Sequence, residues 1–133
     1  MIDPDLLVYS LLSRAAPAGT RITPETDSEV LGELPLWQYH LIGDGQVSNG
    51  PGLYTITLDL SVFAEGLDVA RAQARVAYDI VHAWENPAAA IVPGVGWVTG
   101  VEDVSIFSLQ GTPEITGRQV SQYAGSFDLA LRN

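Results

Sequence analysis

The chain has 133 residues, enough for one domain with its own core, and 47% hydrophobic against 17% charged residues place it outside the disordered regime. Sixteen acidic residues face six basic ones, all arginine, for a net charge of −10; this balance argues against a protein that grips nucleic acid, because that grip comes from cationic side chains that release counterions. With no cysteine in the chain, disulfides, thiolate metal sites and cysteine nucleophiles are excluded.

The first helix is predicted from Asp3 as N-cap, Pro4 at the first helical position and Asp5 near the positive end of the dipole. Leu7, Val8, Leu11, Leu12 and Ala15 form its apolar stripe, and Pro17 and Gly19 stop it. A short extended piece at Arg21 to Thr23 follows, then an acidic, turn-rich loop from Pro24 to Leu34. Leu36 to Ile42 reads as a strand, with Trp37, Tyr39 and Leu41 on one face and Gln38 and His40 on the other. Gly43 to Gly52, rich in glycine and holding an Asn-Gly pair, reads as a long hairpin connection.

The clearest period-two pattern follows: Tyr54, Ile56, Leu58, Leu60 and Val62 alternate with Thr55, Thr57, Asp59 and Ser61, one face core and the other wet. Asp68 opens a second helix with Val69, Ala72, Val76, Ile80 and Trp84 as its apolar stripe. Arg71, Arg75, Asp79 and His82 fall opposite, Arg75 and Asp79 at the favourable i,i+4 spacing, and Asn86-Pro87 ends the helix. After a loop of small residues, Trp97 to Leu109 reads as a strand with Val101, Phe107 and Leu109 inward and a bulge near Gly100. Gln110 to Gly117 is a turn segment, and a last strand alternates Tyr123, Phe127, Leu129 and Leu131 with Gln122, Ser126, Asp128 and Arg132. The expected architecture is one α+β domain spanning residues 1–133, in the order α-β-β-β-α-β-β: a mainly antiparallel sheet of four to five strands with two helices packed on one face.

Few catalytic patterns survive inspection. A Walker loop needs a lysine, and the chain has none. Gly94-Val95-Gly96 precedes a strand where a dinucleotide fingerprint requires a helix. Two histidines, His40 and His82, are too few for a histidine zinc site; His82 reads as solvated on the polar helix face with Asp79 as its nearest partner, and His40 as exposed or at a subunit contact. No Gly-x-Ser-x-Gly elbow occurs. Glu102 and Asp103, adjacent on a strand, point to opposite faces and do not converge on one atom. Core packing is the default for Trp37, Tyr39, Trp84, Trp97 and Phe107, and a protein interface is the next explanation for any that are exposed. No cofactor is expected, no apolar run approaches the roughly 20 residues of a membrane span, and Met1 to Asp5 lacks the basic stretch of a secretory signal, so the expectation is a protein made in a cytoplasm.

The whole layout resembles the tail-terminator family of siphophages, also described as tail-completion or minor tail proteins. The resemblance is carried by the helix through Arg14, Arg21-Ile22-Thr23, Pro35-Leu36-Trp37, the strand Tyr54 to Val62, the Ala-rich helix from Asp68 and the closing strand Tyr123 to Leu131, and covers essentially the full chain. It implies a hexameric ring of identical subunits at the head-proximal end of the tail tube, which ends tube polymerisation and catalyses nothing. The implied partners are other copies of the chain, the tail-tube protein and the head-tail connector protein, with DNA passing through without specific binding; the implied location is the virion. In such a ring Trp37, His40, Asp44, Gln46, Val47 and Asn49 are candidates for the subunit or tail interface. Asp59, Asp79, Glu102 and Asp128 are candidates for an acidic lumen that repels phosphate, although solubility alone also accounts for acidity. A head-tail adaptor, a tail-tube subunit, and a small dimeric ligand-binding module or enzyme are the alternatives; the last needs convergent polar groups inside an apolar cavity, and His40 or His82 buried there beside a carboxylate would favour it.

Overall fold

A computed structural model of the protein describes residues 3–24, 33–46, 53–111, 114–115 and 118–132. Helix α1 (Pro4–Ala15) begins as its sequence dictates, with Asp3 Oδ1 accepting from the Leu6 amide at 3.1 Å and Pro4 in the first turn. Leu7, Val8, Leu11 and Leu12 are its buried stripe.

Strand β1 (Arg21–Thr23) pairs parallel with β2 (Leu36–Gln46), which pairs antiparallel with β3 (Leu53–Glu65). Helix α2 (Leu67–Ala83) follows directly, then a four-residue helix α3 (Pro87–Ala90) and the short β4 (Ile91–Val92). The sixteen-residue β5 (Gly96–Gly111), the two-residue β6 (Glu114–Ile115) and β7 (Arg118–Arg132) complete the chain. The strand order is β1-β2-β3-β7-β5-β4, with β6 attached to β7. The protein is therefore α+β with a curled, mixed sheet, and the expected strand count and order need correction. α3 and β4 occupy what reads as a loop of small residues, β6 lies in the expected turn segment, and β1 makes the sheet mixed.

Both long helices cover one face. The odd-numbered β2 residues Trp37 and Tyr39, Ile56 to Val62 at even positions of β3, and Phe127, Leu129 and Leu131 of β7 meet the stripe of α1 and the underside of α2 in a single core. Burying a large side chain there contributes about 1.5–3 kcal/mol, and this term outweighs helix propensity in fixing which face turns inward.

The expected stripe of α2 needs correction, and here close approach decides rather than side-chain size. The buried residues are Ala70, Ala74, Ala77 and Val81, leading to Trp84, whereas Val69 and Val76 are exposed. Alanines let the helix axis lie close to β3, whose leucines fill the space beneath. The helix starts at Leu67 after Gly66, whose φ of 93° is a left-handed turn that a side chain disfavours, so Asp68 sits in the first turn and caps nothing. Asn86-Pro87 does not end α2 but starts α3, with Asn86 Oδ1 accepting from Ala88. Arg14 ties α1 to this segment by donating to the carbonyls of Ala89 (2.9 Å) and Ile91 (3.0 Å).

Strand β5 is the irregular one. Its register against β7 shifts between Val98 and Gly100, as the sequence suggests, and again at three later points up to Gly111. Val101 is buried and Phe107 half-buried, but Leu109 is 47% exposed, because β5 beyond its β4 partner is a sheet edge.

Candidate functional site

Among the described residues, the other face of the sheet carries no helix. By alternation it displays Gln38, His40 and Ile42 from β2, Thr55 to Ser61 at odd positions of β3, Ala124, Ser126, Asp128 and Ala130 from β7, and Glu102 from β5. One end is sealed by a small cluster of Leu36, Phe63 and Val120. The rest is mostly polar, with Ile42, Ala124 and Ala130 as its apolar members among those residues.

Cross-strand register sets the chemistry of this face. One row runs His40, Asp59, Ser126, Ser105, and the next runs Ile42, Thr57, Asp128, Glu102. Ser126 Oγ donates to Asp59 Oδ1 at 2.6 Å and Thr57 Oγ1 donates to Asp128 Oδ1 at 2.7 Å, so hydroxyls across the β3–β7 ladder fix both carboxylates. Glu102 and Asp128 are directly opposite, an arrangement of like charges that costs stability. A depression of about 920 Å³ runs along this part of the sheet, and its charged lining is Glu85, Glu102 and Asp128. Arg132, at the end of β7, is a cation on the same face by alternation.

Three of the four acidic lumen candidates, Asp59, Glu102 and Asp128, thus share one open face. Asp79 does not: it is exposed on α2, which packs on the opposite face. Among the interface candidates, His40 is exposed on the open face, and Asp44 and Gln46 lie in β2, which runs four residues beyond its expected end at Ile42. Val47 and Asn49 lie outside the described residues. Trp37 is corrected from interface to core, since it is wholly buried and its Nε1–H donates to Gln73 Oε1 at 2.9 Å.

A second polar cluster joins α2 to β5. His82 Nε2–H donates to Asp103 Oδ1 at 2.6 Å, and the Tyr78 hydroxyl donates to Asp103 Oδ2 at 2.8 Å. The His82 ring lies 4.4 Å from that of Tyr78 and meets Phe127 edge-on, while its Nδ1 faces Glu85 at 3.7 Å. The bonds from His82 and then Tyr78 hold the Asp103 carboxyl below its ordinary value, and the bond to Asp103 raises the Tyr78 hydroxyl. His82 therefore pairs with Asp103, not with Asp79. The i,i+4 spacing of Tyr78 and His82 places them on one helix face, but Asp103, twenty-one residues on, has no local signal. Among the described residues no three histidine or acidic side chains converge as a metal site requires. None of His82, Asp103 and Tyr78 lines the acidic depression.

The sequence matches no protein-family model and no curated protein. Among the described residues no helix is long and apolar enough to cross a membrane.

Proposed function

We propose that the chain is a ring-forming structural protein of a bacteriophage tail, a terminator at the head-proximal end of the tube, acting without catalysis or cofactor. The observation that carries the reading is an acidic sheet face that no helix among the described residues covers, in a sheet whose two border strands leave open edges. Among the described residues β1 pairs only Leu36 to Gln38 of β2, and β4 only Gly96 and Trp97 of β5. Two different free edges on one subunit suit a heterologous, head-to-tail contact, which closes into a ring when the rotation permits. Facing inward, Asp59, Glu102 and Asp128 would line a channel that repels phosphate and lets DNA pass. The resemblance supplies the number six, the tail-tube and connector partners and the virion location.

Sedimentation and light scattering across a concentration series test the assembly. The expected result is a discrete species of about six chains; a monomer throughout, even when mixed with tail-tube protein, would sink the reading. The paired His82 and Asp103 favour a second reading as a small enzyme or ligand-binding module, since an oriented imidazole is a general base in waiting. A ligand whose binding is lost in His82→Ala but kept in Asp59→Asn would move the function to that cluster.

A further inference from the structure

Between α2 and the far half of β5 lies a groove of about 300 Å³, mostly apolar, bordered by Arg71, Arg75, Tyr78, Ile106, Phe107 and Tyr123. Two features set it apart. Ile106 is 70% exposed, more than any other large hydrophobic residue among those described. Arg71 and Arg75 have no carboxylate within ion-pair distance among the described residues, although the chain holds sixteen acidic side chains. Among the described residues Arg71 donates to the Tyr123 hydroxyl at 3.4 Å, and the expected i,i+4 pair of Arg75 with Asp79 does not form. Two guanidinium groups beside an apolar slot suit an acidic segment with apolar neighbours.

Such a segment stands at the opposite edge. Tyr39 of β2 is opposite Leu60, Leu60 is opposite Gly125, and Phe107 packs on Gly125, so one cross-strand row runs from β2 to the groove. At the β2 end of that row Asp5 lies near the Tyr39 hydroxyl, and the Tyr9 ring is tilted at 6.4 Å from the Tyr39 ring. Leu6 and Tyr9 are exposed there, at 46% and 43%. The acidic end of α1 and the arginine groove therefore lie at the two ends of one row, three strand spacings of about 4.8 Å apart. Copies arranged head to tail along the sheet place one end against the other.

Resting on the ring reading above, we infer that the groove of Arg71, Arg75 and Ile106 receives the first two turns of α1 of a second copy, with Asp5 between the two guanidiniums and Leu6 and Tyr9 against Ile106. This contact is heterologous and propagates around a ring. Its charge complementarity is the source of specificity, because the remaining surface of a −10 chain repels its copies.

Charge reversal tests the inference with R71E/R75E and D5R, each checked for a native circular-dichroism spectrum. Each variant alone is expected to associate about 100-fold more weakly than wild type, since like charges replace opposite ones. Mixing the two restores assembly: a reversed groove then meets a reversed α1, and every other contact is wild type. Light scattering on the mixture reads this directly, and R71K/R75K, which keeps the charge, retains assembly. Wild-type oligomers that survive R71E/R75E unchanged would overturn the groove while leaving the ring standing. Failure of the mixture to recover, with both variants folded, would overturn the pairing of groove with α1. A wild-type chain that never self-associates would remove the ring itself.

Discussion

Asp103 accepts two hydrogen bonds from α2 while standing on β5, so one carboxylate ties the second helix to the edge of the sheet. Its depressed pKa fixes the sign of the pH effect: the tie contributes fully above the unfolded value of about 3.8 and is lost as pH falls through the lower folded value. In chemical denaturation at a series of pH values, Asp103→Asn is expected to flatten the loss of stability below about pH 4. An unchanged acid slope would show that the tie contributes nothing. Gly125 is a steric prediction of a different kind. A Cβ there would lie 3.1 Å from Phe107 Cγ and 3.2 Å from its backbone nitrogen, so Gly125→Ala should cost about 1–3 kcal/mol in urea unfolding. Neither feature is legible in the sequence, because His82 and Asp103, like Gly125 and Phe107, meet only through tertiary register. Asp3 and Pro4 are legible because a helix cap is decided within one turn.

Helix α2 shows where periodicity stops informing. Its small and branched residues offer two apolar stripes of equal period, one through Val69 and Val76 and one through Ala70, Ala74 and Ala77. Hydrophobicity favours the first, but the helix buries the second, because alanine permits the closest approach to β3. Paired substitutions separate them: Ala77→Leu is expected to overpack the core at a cost of about 1–3 kcal/mol, and Val76→Lys to stay within about 0.5 kcal/mol of wild type. Equal effects in thermal melts would contradict the orientation of the helix. The strands were easier to read. Alternation in β3 and β7 predicts both faces, since one is core and the other meets water; in β5 it puts Leu109 on the helical face, opposite Tyr123, but is blind to the open edge that leaves it exposed. Short α3, β4 and β6 escape a reading of periodicity altogether, being two to four residues long.

At the scale of the molecule, strand order decides which charges share a face. Asp59, Glu102 and Asp128 share its open face, while Arg71 and Arg75 border a groove on the helical side. The sequence displays the excess of acid, but only strand order reveals that three of those carboxylates form one surface and that Asp79 belongs elsewhere. If this surface lines a channel, D59N/E102Q/D128N keeps its hydroxyl contacts and its assembly but retains DNA, which wild type releases, in a co-sedimentation assay at low salt. Equal release by both proteins would leave the acidity to solubility alone. The ring itself is tested most directly by electron microscopy of the purified protein. The account predicts annular particles with six-fold symmetry, the helices outside and the open sheet face turned to a central hole. Compact particles without a hole, at concentrations where the chain is fully associated, would contradict it.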